Sequence, residues 1–77
     1  MMVTVIFKSA LKEYVPGYYD RVEVDYDSQL TIRTILEQYH LHPGHIGLVL
    51  IDGQLSDLNC PLHDGATVEL YPIFGGG

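Results

Sequence analysis

Gly75, Gly76 and Gly77 close the chain and would carry its terminal carboxylate. Glycine has no side chain, so such a stalk can enter a channel that any other residue would block. A carboxylate delivered that way can be activated as an acyl phosphate and then passed to a nucleophile. Bare glycine ends are also commonly frayed and inert. The weight therefore falls on the residues just before them, the apolar, strand-like run Ala66 to Phe74.

The reactive side chains carry less. His40, His42 and His45 cluster around Pro43 and Gly44, and imidazole is a common metal ligand. Their spacing matches no established metal motif and no cysteine lies near in sequence, so solvated loop histidines are the expectation and no metal ligand is assigned. His63 precedes Asp64 in a turn and reads as exposed. Cys60, between Asn59 and Pro61, shows neither the base nor the dry site a catalytic thiol needs, and reads as a half-buried loop thiol. Of six tyrosines, Tyr26 and Tyr39 read as core. Tyr14, Tyr18 and Tyr19 lie on the first loop, either as a binding edge or as a cover for one end of a small core. No Gly-rich phosphate loop, paired-acid site or Ser-His-Asp set is present, so the chain does not read as an enzyme and no cofactor or catalytic side chain is expected.

Seventy-seven residues support one small domain. The hydrophobic share of 47% is that of a globular chain. Ten acids against four bases give a formal charge of -6. That argues against nucleic acid, whose phosphates need clustered Lys and Arg, and for partners with basic surfaces. One cysteine excludes an internal disulfide framework and fits a reducing, cytoplasmic setting. No apolar stretch approaches the ~20 residues of a membrane span. The N-terminus lacks a basic region followed by a long apolar one and reads as a strand, not a signal peptide.

Hydrophobic periodicity predicts the elements that position the tail. Residues 2–8 are β-branched-rich and form a first strand, with Val3, Val5 and Phe7 on one face and Thr4, Ile6 and Lys8 on the other. Val15-Pro16-Gly17-Tyr18 is a turn signal, and residues 21–26 alternate with Val22, Val24 and Tyr26 inward; the two strands make a hairpin. Thr31 can cap a helix over 31–40, with Leu30 placed to staple against Ile35. Ile32, Ile35, Leu36 and Tyr39 repeat at helical spacing, and Pro43-Gly44 bars continuation. Residues 46–51 form a nearly continuous apolar strand, Asp52-Gly53 a tight turn, Gln54-Leu55 a short partner strand, and residues 67–72 the last strand. The expected core holds Val3, Val5, Phe7, Val22, Val24, Ile32, Ile35, Leu36, Val49, Ile51, Leu62, Val68 and Leu70. If the two terminal strands pair centrally and in parallel, the fold is an α+β β-grasp: a mixed four- to five-stranded sheet with one main helix on one face. The domain would span 1–74, with 75–77 as a flexible tail. Alternation then sets Ile6, Leu48, Leu50 and Tyr71 on the open face, where with Phe74 they would make an apolar docking patch.

Leu62, Asp64, Gly65, Val68, Pro72, Gly76 and Gly77 together resemble the ending of the MoaD/ThiS family of ubiquitin-like sulfur carrier proteins, and Ile51-Asp52-Gly53 resembles that family's Val-Asn-Gly turn. The likeness is specific over the final third and covers the rest in element order. The chain departs from the pattern at Ala66, where the family carries the second acid of Asp-Gly-Asp, at Asp52 in place of Asn, and at Ile73, where the MoaD branch has a second Pro. The resemblance implies that a ubiquitin-activating-type adenylyltransferase adenylates the Gly77 carboxylate, that a sulfur donor displaces AMP to leave a thiocarboxylate, and that a sulfur-accepting synthase subunit takes the sulfur in molybdopterin-type or thiamine-type cofactor biosynthesis. Two alternatives stay open: a modifier conjugated to lysines through Gly77, and a β-grasp interaction domain with an inert tail.

Overall fold

The structure, a computed structural model, describes residues 1–15, 17 and 19–73. β1 (Met2–Phe7) alternates as its sequence demands: Val3, Val5 and Phe7 are buried and their neighbours are not. It pairs antiparallel with β2 (Arg21–Asp25), Val3 opposite Val24 and Val5 opposite Val22. On its other side it pairs in parallel with β5 (Thr67–Pro72), Val5 opposite Val68 and Phe7 opposite Leu70. β3 (Ile46–Ile51) lies antiparallel to β5, and β4 (Gln54–Ser56) closes the far edge. The sheet order is β2-β1-β5-β3-β4, so the first and last strands sit together near the middle. With α1 (Ile32–Gln38) supplying buried Ile32, Ile35 and Leu36 to the core, this is the β-grasp arrangement.

The β1–β2 connection is more built than a hairpin loop. A 3₁₀ segment, Ser9–Tyr14, follows β1 and drives Leu11 into the core, with Val15 behind it. Lys12 pairs with Asp20 at 3.0 Å across the two ends of the connection. Gly17 takes φ +92°, as the turn signal requires; its neighbours Pro16 and Tyr18, like Phe74 and Gly75 to Gly77, lie outside the described residues.

Thr31 caps α1, its side chain accepting from the Thr34 N–H at 3.3 Å. Leu30 and Ile35, the expected staple pair, are both buried. The helix stops sooner than Pro43 would force. His40 takes a left-handed φ of 58°; its N–H donates to Glu37 O at 3.2 Å, and the Leu41 N–H donates to Leu36 O at 2.9 Å. That is a Schellman ending, and buried Leu41 and Leu36 supply its apolar contact. The sequence hides it because histidine, not glycine, holds the left-handed position.

The core differs from expectation in kind as well as extent. Val22 and Ile51, placed inside by alternation, are half-buried and pack against its rim, as do Tyr26 and Tyr39. Val22 lies on the edge strand and Ile51 at the β3–β4 turn, where no layer covers them fully. Leu11, Val15, Leu30, Leu41 and Ala66 are buried in addition. Each fully buried aliphatic side chain contributes on the order of 1.5–3 kcal/mol.

His40→Gly should stabilise the protein by about 1 kcal/mol, because glycine enters the left-handed region without steric cost. Urea unfolding tests it, and an unchanged or lowered midpoint would count against the αL reading.

Candidate functional site

The candidate site is the end of β5 and the sheet face beside it. Cross-strand register fixes which residues share a face. Val5, Val68 and Ile51 stand in one row, and Phe7, Leu70 and Val49 in the next; both rows face the core. The intervening residues therefore face outward. Leu48 pairs with Tyr71, Leu50 with both Glu69 and Leu55, and Ile6 with Glu69. All four residues expected on the open face thus stand on it, each half-buried. Leu55, which the sequence reading left out, joins them and is 74% exposed. It escaped notice because a three-residue edge strand carries too little alternation to show its facing.

The face is not uniformly apolar. Glu69 stands between Ile6 and Leu50, with Lys8 Nζ at 3.6 Å. The Tyr71 hydroxyl donates to Glu69 Oε1 at 3.3 Å, and the Lys8 ammonium sits 5.9 Å from the Tyr71 ring centroid. The polar trio divides Ile6 from the Leu48, Leu50, Leu55 group. Such a centre gives an apolar surface a fixed orientation and register for a partner.

β5 is aimed by β3. The pairing slips between Ile46 and Leu48, leaving Gly47 as a bulge against the end of β5. A Cβ on Gly47 would meet Pro72 O at 2.7 Å and Ile73 Cα at 2.8 Å. Glycine lets the backbones pass that close. Ile73, 53% exposed, then leads out toward Phe74 and the glycines, which lie outside the described residues.

Two of the three departures from the family pattern, Ala66 and Asp52, find a structural place. Ala66 is wholly buried, its N–H donating to His63 O and its carbonyl accepting from Thr4 N. A carboxylate there would be desolvated. Asp52 is an exposed residue at the β3–β4 turn. Its Oδ1 accepts the Thr67 N–H at 3.0 Å and its Oδ2 meets His63 Nε2 at 2.5 Å. His63 Nδ1 faces the Asp64 carbonyl at 2.8 Å. Both ring nitrogens thus face acceptors, and only the imidazolium can donate to both. The cluster pins the β3–β4 turn to the start of β5.

The other candidates fall apart as sites. His42 Nδ1 accepts from the Gly44 N–H at 2.9 Å, and His45 stacks on Tyr14 at 4.8 Å. Among the described residues no three His, Cys, Asp or Glu side chains gather to hold a metal. Tyr14 and Tyr19 are more than half exposed and cover no core. Cys60 is half-buried, its Sγ 3.5 Å from the Asp57 N–H. No helix of the described residues is long and apolar enough to cross a membrane.

The Thr67 N–H, with the His63 ring, lowers the Asp52 pKa; the hydrogen bond to Asp52, then that to Asp64, raises His63 above 6.5. The raised His63 pKa makes its contribution complete below the unfolded value and lost as pH rises through the folded one. The lowered Asp52 pKa makes its contribution present above 3.8 and lost as pH falls through its folded value. The pair therefore tethers best between those limits. An NMR titration should put the His63 midpoint above 6.5, falling toward it in Asp52→Asn; a wild-type midpoint at or below 6.5 contradicts the pairing.

No protein-family model matches the chain, and no curated protein matches it significantly. Solved structures do. SAMP1 from Haloferax volcanii superposes with a TM-score of 0.72 at 20% identity, covering 100% of both chains. The putative molybdopterin converting factor subunit 1 from Pyrococcus furiosus gives 0.68 at 15%, covering 94% of this chain and 97% of that one. A chain from the complex of subunits 1 and 2 of molybdopterin-converting factor from Helicobacter pylori gives 0.61 at 26%, covering 100% of both. The chain is a ubiquitin-like β-grasp protein, and its structural neighbours agree with the resemblance to the MoaD/ThiS family read at its C-terminus.

Proposed function

We propose that the chain is a sulfur carrier whose reactive group is the Gly77 carboxylate. The observation that carries the reading is the Gly75-Gly76-Gly77 ending directly beyond β5, in a fold shared with molybdopterin-converting factor subunits. A ubiquitin-activating-type adenylyltransferase binds the chain and ATP. The carboxylate oxygen attacks the α-phosphorus, pyrophosphate leaves, and the acyl adenylate forms. Sulfide released by a sulfur donor then attacks the acyl carbon, AMP leaves with the electron pair, and loss of the sulfur-bound proton leaves the thiocarboxylate. On a synthase subunit in cofactor biosynthesis of molybdopterin or thiamine type, the thiocarboxylate sulfur bonds to the acceptor substrate, and water cleaves the acyl–sulfur bond to return the Gly77 carboxylate. The folded domain supplies no catalytic side chain. Its part is to dock, through Ile6, Leu48, Leu50, Tyr71 and Phe74, so that the tail reaches a buried ATP.

Likeness to SAMP1, a structure of which is described as a small archaeal modifier protein, supports a second reading in which the same activated Gly77 forms an isopeptide bond to a lysine. The two share the adenylation step and part at the acceptor.

With ATP, magnesium, a sulfur source and its activating enzyme, the intact protein should gain the mass difference of one sulfur for one oxygen at its C-terminus. Deleting Gly77 should abolish the gain with no change in stability. Lysine-linked Gly77 adducts without a thiocarboxylate would favour the modifier, and no change with any activating enzyme of the same genome would leave an inert tail. Leu50→Glu should keep the fold and weaken partner binding at least about tenfold, by setting a second carboxylate beside Glu69 in a desolvated contact. Normal binding by that variant would move the docking face elsewhere.

A further inference from the structure

We propose that the free edge of β2, with the cleft between it and α1, is a second docking site, which takes a basic segment of a partner protein as an added strand. The proposal does not rest on the chemistry at Gly77.

Among the described residues, β2 has a strand neighbour on one side only. The Phe7 N–H donates to Asp20 O, and the Tyr26 N–H to Met1 O. In the same register Val22 lies opposite Val5 and Val24 opposite Val3. Residues 20, 22, 24 and 26 thus turn their backbone groups to β1, and alternation turns those of Arg21, Glu23 and Asp25 outward. The opposite edge, β4, offers only three residues. Beside the β2 edge lies a cleft of about 470 Å³, lined by Val24, Leu30, Thr34, Gln38 and Tyr39 together with the acids of the strand. An incoming strand would find hydrogen-bonding partners and room for its side chains there.

Charge selects the occupant. Val22 and Val24 turn toward the helix layer, so the side chains of Arg21, Glu23 and Asp25 stand on the opposite side. An added strand would set every second side chain against Arg21, Glu23 and Asp25, and the others over the cleft. Opposite charges stabilise directly facing cross-strand positions and like charges destabilise them. Neither Glu23 nor Asp25 makes an ion pair with another described residue. The fitting partner carries Lys or Arg opposite Glu23 and Asp25, an uncharged residue opposite Arg21, and β-branched residues between. The net charge of -6 steers such a segment in. A second copy fits worse: β2 against β2 about Glu23 offers Arg21–Asp25 pairs, but faces Glu23 with Glu23 and brings two acidic bodies together. Charged edges commonly keep sheets apart; an acidic one does so while admitting a basic strand.

The test uses the full chain, labelled with nitrogen-15, and the blocked peptide acetyl-Thr-Lys-Val-Arg-Val-Thr-Thr-amide at low salt, whose antiparallel pairing sets Lys against Asp25, Arg against Glu23 and Thr against Arg21. The expected result is shifted amides at Arg21, Glu23, Asp25, Thr34 and Gln38, with slowed exchange of the Glu23 and Asp25 N–H groups. Glu23→Lys combined with Asp25→Lys should leave a dispersed, folded spectrum and weaken binding about tenfold or more. An isomeric peptide with its basic residues clustered should bind at least about tenfold less well, since it cannot oppose both acids. Equal binding of the two peptides would reduce the effect to non-specific charge attraction and overturn the site. So would shifts confined to Leu48, Leu50 and Leu55, self-association through β2 in place of peptide binding, or no shift at all.

Discussion

The parallel pairing of β1 with β5 is the constraint on which the rest of the structure depends. Parallel strands cannot be joined by a tight turn, so everything between them must cross over and return. The crossover here carries β2, α1, β3 and β4, and α1 supplies Ile32, Ile35 and Leu36 to the core that also holds Val5, Val68, Phe7 and Leu70. Because side chains alternate, that burial forces Ile6, Glu69 and Tyr71 to the other face. It also makes β5, the strand that ends at the tail, an inner strand held on both sides. A held last strand gives the glycines a fixed point of departure.

Much of this was legible because period and punctuation agreed. Val3, Val5 and Phe7 alternate cleanly, Asp52-Gly53 supplies two consecutive positive φ angles of 52° and 82°, and Thr31 caps where a helical period begins. What escaped the sequence was decided by tertiary contact. Leu11 and Val15 flank a segment with no strand or α-helical period, and become core only because the 3₁₀ turn folds back on the sheet. His40 ends the helix through backbone bonds that carry no residue signature. The His63–Asp52 pair spans eleven residues of chain and exists only once β3 and β5 are in register.

The candidate site divides along the same line. Alternation placed Ile6, Leu48, Leu50 and Tyr71 on one face, but did not show Lys8 and Glu69 gathering with Tyr71 between Ile6 and the leucines. That trio depends on Lys8 reaching Glu69 from the neighbouring strand, in a parallel register that is a property of the sheet. Gly47 is similar. As a sequence it is one glycine in an apolar run; its use appears only when Pro72 and Ile73 come within contact distance of where its Cβ would be.

That glycine links stability to the exit of the tail. The bulge at Gly47 lets β3 stay paired with β5 as far as Pro72 while the backbone bends past Ile46. Gly47→Ala would push the Pro72 carbonyl or shift β3, at a cost of about 1–3 kcal/mol. Ion-pair and core variants far from this point lower stability without moving the strand end. An alanine here moves the strand end itself, so loss of partner binding in Gly47→Ala should exceed that of a core variant on the helix, such as Ile32→Ala, compared at equal fraction folded. Equal losses would mean that the tail's exit tolerates a shift of the strand, and that the domain contributes its face alone.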